Sequence, residues 1–187
     1  MKLWLIRHGE TIWNTEKRTQ GWGESGLTDK GIKQVEDIAK TFKDKSVDLI
    51  ITSDLGRTKD SAEIIANELK VNILNDWLLR ERYAGAFEGV IRPEEIVVKT
   101  HSDKDFMKEN NVEFWEMVEA RAKAFVESIF LLPCNHKNII IIVGHNAMNN
   151  KIYEFIKGNE EFDKKIDVEI INTNIDGTNE MLFGYKY

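Results

Sequence analysis

The chain has 187 residues, 42% hydrophobic and 31% charged, with a net charge of -6, a composition that fits one globular domain and is too short for two full ones. That charge excludes the basic face that nucleic-acid binding requires, and no apolar run approaches the roughly 18 residues of a membrane span. The single cysteine, Cys134, cannot form an internal disulfide, and the apolar run Leu3 to Ile6 is too brief for a secretory core, so a cytoplasmic protein is expected.

No repeat, low-complexity tract or Pro/Gly/Ser-rich linker divides the sequence, and 1-187 reads as a single domain. Leu3 to Ile6 is a continuous apolar run, predicted as a strand buried on both faces of a parallel sheet, and it stops at Arg7-His8-Gly9. From Gly31 to Phe42, the residues Ile32, Val35, Ile38, Ala39 and Phe42 recur at helical spacing behind Thr28, a predicted N-cap. A second strand, Val47 to Ile51, runs into Thr52-Ser53-Asp54 with Arg57 close behind. Ala62, Ile65, Ala66 and Leu69 predict the next helix, and a short strand, Val71 to Leu74, leads to Leu79-Arg80-Glu81-Arg82-Tyr83.

The stretch 85-111, with Arg92-Pro93, a charged run and Glu109-Asn110-Asn111, breaks the periodicity and reads as an insertion. A long amphipathic helix follows from about Glu113 to Leu131 on Phe114, Val118, Phe125 and Ile129. A third strand, Ile139 to Val143, ends in Gly144-His145. The helix after it carries Met148, Ile152, Phe155 and Ile156, with Gly158 placed to stop it. Val168 to Ile171 and Met181 to Tyr185 flank Asp176-Gly177, which predicts a terminal hairpin. His101 and His136 fall in predicted loops and read as exposed polar residues, with His101 also able to reach a ligand from the insertion.

Strands and helices alternating at these lengths indicate an α/β fold, a three-layer α/β/α sandwich with a mostly parallel central sheet and the small insertion over its active site. In open α/β sheets ligands bind beyond the carboxyl ends of the strands. If the three long strands are neighbours, Arg7-His8, Arg57 and His145 converge on one edge. Two imidazoles and two guanidiniums would repel one another without an anion between them.

Phosphate suits planar guanidinium forks, and a helix starting near Asn146 would aim free N–H groups at the same place. A neutral imidazole there could attack phosphorus and carry the phosphoryl group covalently. The leaving alkoxide needs a proton, for which Glu81, after the short strand, is the candidate acid.

The residues that carry this chemistry also resemble a known family. Leu5-Ile6-Arg7-His8-Gly9-Glu10-Thr11-Ile12-Trp13-Asn14 is similar to the signature of the histidine phosphatase superfamily, in its phosphoglycerate mutase-like branch. The likeness continues in order through Arg18-Thr19-Gln20-Gly21, Gly26-Leu27-Thr28-Asp29-Lys30-Gly31, Ser53-Asp54-Leu55-Gly56-Arg57, Leu79-Arg80-Glu81-Arg82 with Glu88-Gly89, and Val143-Gly144-His145. The resemblance implies a metal-independent phosphomonoester hydrolase acting on a small phosphorylated metabolite, with no cofactor. It implies that His8 is the nucleophile and that His145, Arg7 and Arg57 hold the phosphoryl oxygens. Glu81 would be the acid and then the base, Asn14 would bind the phosphate, and Gln20, Gly21 and the N–H of Asn146 would border the pocket.

A cofactor-dependent phosphoglycerate mutase is the alternative, disfavoured because the insertion lacks an adjacent arginine pair. A catalytically silent phosphate-binding module would be expected to have lost His8 or Glu81, and a protein-phosphohistidine phosphatase to lack the insertion. Other phosphatase chemistries are excluded: Ile140, not arginine, stands six residues after Cys134, and there is no Gly-x-x-x-x-Gly-Lys-Ser/Thr loop. No His-Glu-x-x-His spacing marks a metal site. The natural substrate and the oligomeric state stay open.

Overall fold

The structure is a computed structural model that describes residues 1-131 and 138-173. Cys134, His136 and the second half of the expected terminal hairpin lie outside the described residues.

In chain order the elements are β1 (Lys2–Arg7), α1 (Ile12–Thr15), α2 (Asp29–Lys40), β2 (Val47–Thr52), α3 (Gly56–Leu69), β3 (Ile73–Asn75), α4 (Glu94–Ser102), α5 (Lys104–Glu109), α6 (Trp115–Ile129), β4 (Ile139–Gly144), α7 (Asn146–Gly158), α8 (Glu160–Asp163) and β5 (Asp167–Ile171). Two 3-10 turns, Trp77–Leu79 and Gly85–Phe87, lie between β3 and α4. The five strands form one sheet of order β3-β2-β4-β1-β5 with every pairing parallel. Val168 to Ile171 therefore joins β1 in parallel, as part of the strand at the sheet's edge among the described residues.

The apolar runs divide by parity, because successive strand side chains point to opposite faces. Leu3, Leu5, Ile140 and Ile142 pack with Val118, Phe125 and Ile129 of α6 and with Met148 and Ile152 of α7. Ile6, Ile50, Ile141 and Val143 pack on the other face with Val35 and Ala39 of α2 and with Ala62 and Ile65 of α3. The central stretches of these strands, Leu3 to Ile6, Leu49 to Ile51 and Ile139 to Val143, are continuously hydrophobic because helices cover both faces.

Thr28 caps α2 as its sequence predicts, its hydroxyl accepting from the Gly31 N–H at 3.0 Å. The long helix starts two residues later than its periodicity suggests. Glu113 stays outside the helix instead, its N–H donating to the Tyr83 carbonyl and its carboxylate held by Arg121.

The register carries the fold to its site. β4 lies between β1 and β2, with Arg7 opposite Gly144 and Thr52 opposite Val143, so three carboxyl ends finish level with one another. The segment 85-111 folds as a 3-10 turn with α4 and α5, and contributes Arg92 and His101 to the lining of the pocket above those ends.

Candidate active site

Beyond the last β1 residue the chain is fixed on both sides of His8. Its N–H donates to the Gly144 carbonyl at 3.1 Å, its carbonyl accepts from Thr173 Oγ1 at 2.6 Å, and the Gly9 N–H donates to Ser61 Oγ at 3.1 Å. His8 is 3% exposed and its Nδ1 lies 2.7 Å from the Gly9 carbonyl oxygen. A carbonyl can only accept, so Nδ1 carries the hydrogen and Nε2 keeps its lone pair.

Arg57 enters from the first turn of α3 and is almost fully buried. Its Nε–H points at His8 Nε2 from 3.3 Å and an Nη2–H at His145 Nδ1 from 3.1 Å. Two of the remaining N–H groups, one on Nη1 and one on Nη2, reach the Gly23 and Gly21 carbonyls at 2.9 and 2.7 Å. Gly21 holds its carbonyl there from a left-handed conformation, φ 55°, and a Cβ would lie 2.9 Å from the Ala84 backbone nitrogen, so glycine is favoured on both counts.

His145 is the N-cap of α7 and fully buried. Because the guanidinium can only donate, His145 Nδ1 accepts, and its Nε2–H donates to Ser53 Oγ at 3.1 Å. One arginine thus fixes the tautomers of both imidazoles, whose ring centroids are 5.3 Å apart. Burial, then the charges of Arg7 and Arg57, push the His8 pKa well below the usual value for histidine. Burial, then Arg57, do the same to His145. Burial also brings Arg57 down to about 10, which leaves it cationic at neutral pH. Two neutral rings therefore surround a fixed positive charge.

His8 and Arg57 line a cavity of about 350 Å³ that also takes in Arg7, Glu81, Asn14, Gln20, Gly21, Asn146 and Ala147. Of the site residues expected from the sequence, His145 alone is absent from this lining; it is fully buried and meets the pocket through Arg57. Glu81 sits in the irregular segment after β3, its carboxylate accepting from the Arg82 N–H at 2.8 Å and, at 3.3 Å, from Ala147 in the first turn of α7. Asn14 and Gln20 are joined through Thr11, whose hydroxyl lies 3.0 Å from Asn14 Oδ1 and 3.1 Å from Gln20 Oε1. Such a site can neutralise a phosphoryl group, present a nucleophilic nitrogen to it and offer a carboxyl group for proton transfer. Among the described residues no three His, Cys, Asp or Glu side chains group to hold a metal ion.

The model of the histidine phosphatase superfamily (branch 1) matches residues 3–175. The chain belongs to this superfamily. A Yersinia pestis (strain Pestoides F) member named "Probable phosphoglycerate mutase GpmB" is 33% identical over 154 residues, 77% of this chain and 70% of that one. The protein of the same name from Proteus mirabilis is 42% identical over 88 residues, and there the match spans less than half of either chain, 47% of this one and 41% of the other. Among solved histidine phosphatase folds, Bacillus stearothermophilus YhfR superposes with a TM-score of 0.72 at 29% identity, covering 85% of this chain and 81% of its own. The alpha-ribazole phosphatase of Shigella flexneri shares the fold with a TM-score of 0.70 at 24% identity, covering 83% and 79%.

The sequence reading of this superfamily member missed the outer lining, which adds Arg18, Arg82, Tyr83, Arg92, Trp115, Asn150 and Lys151. His101, expected in a loop, is in the last turn of α4, its ring 5.4 Å from that of Trp115, and lines the same pocket. Arg92 donates to Thr100 Oγ1 at 3.0 Å while its buried Nε has no hydrogen-bond partner among the described residues. Ser53 was also missed as a partner of His145. Its one sequence signal is its place beyond a strand that ends at the same edge.

Proposed function

We propose that the chain is a metal-independent phosphomonoester hydrolase that acts on a small phosphorylated metabolite through a phosphohistidine on His8. The observation that carries this reading is the single arginine, Arg57, held against His8 Nε2 and His145 Nδ1 in a pocket that also holds Arg7 and Glu81.

In the first step His8 Nε2 bonds to phosphorus as the ester P–O bond breaks, and the protonated Glu81 carboxyl passes its proton to the leaving oxygen, releasing the alcohol. In the second step the Glu81 carboxylate takes a proton from water, the water oxygen bonds to phosphorus, and the P–N electron pair returns to His8. Phosphoryl oxygens take over the N–H groups that Arg57 now directs at the two rings, and Arg7 and the Asn146 N–H complete their partners. Asn14, Gln20 and Gly21 border the group. Donors fixed before reaction are the arrangement that stabilises developing charge most.

The cations of the outer lining, Arg92 above all, support a substrate with a second anionic group. A phosphoglycerate mutase is the second reading, favoured by the name of the Yersinia relative. Hydrolysis is preferred because the insertion 85-111 brings only one arginine, Arg92, to the lining, where a mutase must retain an intermediate with two charged arms.

The test is phosphate release from a panel of phosphomonoesters, with acid-labile phosphoenzyme trapped in parallel. The native protein should turn over at least one ester, and His8→Ala should release no phosphate and trap none. Interconversion of 2- and 3-phosphoglycerate faster than phosphate release would favour the mutase, and phosphoenzyme in His8→Ala would remove the nucleophile assignment.

A further inference from the structure

Glu81 stands on backbone that belongs to no helix or strand. Between the 3-10 turn ending at Leu79 and the one starting at Gly85, the chain has no ladder of its own. Its carbonyls and amides must find partners elsewhere or remain costly orphans. Four of them, the carbonyls of Arg80, Glu81 and Tyr83 and the Tyr83 N–H, find partners on one buried ion pair.

Arg121 projects from α6 and is 8% exposed. Its Nε and Nη2 fork onto the two Glu113 oxygens at 2.9 and 2.8 Å. The remaining N–H groups donate to three carbonyls in and just before the segment: Nη1 to those of Leu78 and Arg80, both at 2.8 Å, and Nη2 to that of Glu81 at 3.3 Å. All five donors of the guanidinium are thereby used. Glu113 closes the other flank, its Oε2 accepting from the Tyr83 N–H at 3.0 Å and its own N–H donating to the Tyr83 carbonyl at 3.0 Å. Trp22 Nε1 adds a bond to the Glu81 carbonyl at 2.7 Å.

Neither Arg121 nor Glu113 lines the cavity. We propose that the Arg121–Glu113 pair positions Glu81 for proton transfer: it clamps the backbone before and after Glu81, and so sets where the carboxyl group meets the leaving oxygen. The proposal rests on the acid role given to Glu81 above. Arg121 and Glu113 are positioning residues, acting on substrate only through that backbone.

Position matters because proton transfer needs hydrogen-bond reach, about 2.6–3.2 Å between heavy atoms, and a 1 Å displacement can cost on the order of 100-fold. Lysine at 121 would keep the charge but lose the planar fork, so it could not face Glu113 and three carbonyls together. A proton donor is needed most by a poor leaving group and least by an acidic phenol. The clamp therefore predicts a selective loss, which a general loosening of the fold does not.

The experiment compares kcat/KM, which reports the phosphorylation step alone, for an alkyl phosphate, β-glycerol phosphate, and for p-nitrophenyl phosphate in the native protein, Glu81→Gln, Arg121→Lys and the double variant. Arg121→Lys should lower kcat/KM for the alkyl ester by about 10- to 100-fold and for p-nitrophenyl phosphate less than about 3-fold. In the Glu81→Gln background it should add nothing further, because the two changes remove one effect. Equal slowing of both esters by Arg121→Lys, beside a selective loss in Glu81→Gln, would overturn the clamp and leave the acid role intact. No selectivity in Glu81→Gln itself would overturn the acid role, and the clamp with it.

Should Arg121→Lys fail to show a native thermal transition, Glu113→Gln replaces it. That variant keeps an acceptor for the Tyr83 N–H while weakening the grip on Arg121, and the same selectivity in smaller degree is expected. Its absence in a folded Glu113→Gln protein counts against the proposal.

Discussion

The inner and outer halves of the pocket are built by different means. Arg7 ends β1, His8 and His145 directly follow β1 and β4, and Arg57 lies in the first turn of α3, so regular hydrogen-bond ladders and helix starts fix them. Glu81 stands on irregular chain held by a side-chain ion pair, and Arg92 on the loop before α4. The half proposed to hold phosphorus is thus the rigid one, and the half that meets the rest of the substrate hangs from loops. A rigid sheet edge suits a fixed phosphoryl geometry, while loops can vary to fit the alcohol.

That contrast can be broken first at Arg57. Arg57→Ala removes the donor shared by both imidazoles, and kcat should fall about 100- to 1,000-fold, the cost of a lost oxyanion donor. The loss should be alike for alkyl and aryl esters, since it strikes the phosphoryl half, and a leaving-group-selective loss would contradict the division.

The pH profile sharpens it next. His8 must be neutral to attack, and burial with Arg7 and Arg57 keeps it so. The acid limb of kcat/KM should therefore lie below the ordinary histidine pKa of about 6.5, falling roughly tenfold per pH unit beneath the lowered value. A limb centred above 6.5 would mean that His8 is not the titrating nucleophile. The same burial makes stability fall with acid. Unfolded His8 and His145 take protons near pH 6.5 while the folded rings stay neutral, so stability is lost progressively below that pH, by up to about 1.4 kcal/mol per unit for each ring. Thermal melts from pH 7 to 5 measure it, and His145→Gln should flatten the dependence.

The smallest effect belongs to the outer half. Arg92→Ala should raise KM about tenfold for a phosphomonoester with a second anionic group, the worth of one hydrogen bond to a charged partner. It should leave p-nitrophenyl phosphate nearly unchanged. Equal effects on both would place Arg92 with the phosphoryl half.

How much of this was legible follows the same line. Continuous apolar runs betrayed strands buried on both faces, and the polar residues that stop them, Arg7-His8 and Gly144-His145, pointed to the sheet edge. Thr28 and the helical spacing of Val35 and Ala39 located α2 closely. Arg121 gave no signal, since a single arginine on an amphipathic helix reads as a solvated face, and only the packed structure shows it buried among the Leu78, Arg80 and Glu81 carbonyls. The late start of α6 was hidden for the same reason: Glu113 leaves the helix to pair with residues some 30 positions away.

The sequence by itself determined the layers, the parallel sheet and the group of residues that meets at its edge, because hydrophobic period and strand termini are local properties of the chain. Only the tertiary structure decided which nitrogen of each histidine carries the hydrogen, that one guanidinium serves both rings, and that a distant ion pair holds Glu81. Those facts depend on contacts between residues far apart in the chain, where hydrogen-bond geometry and exclusion of water, not neighbouring sequence, fix the partner.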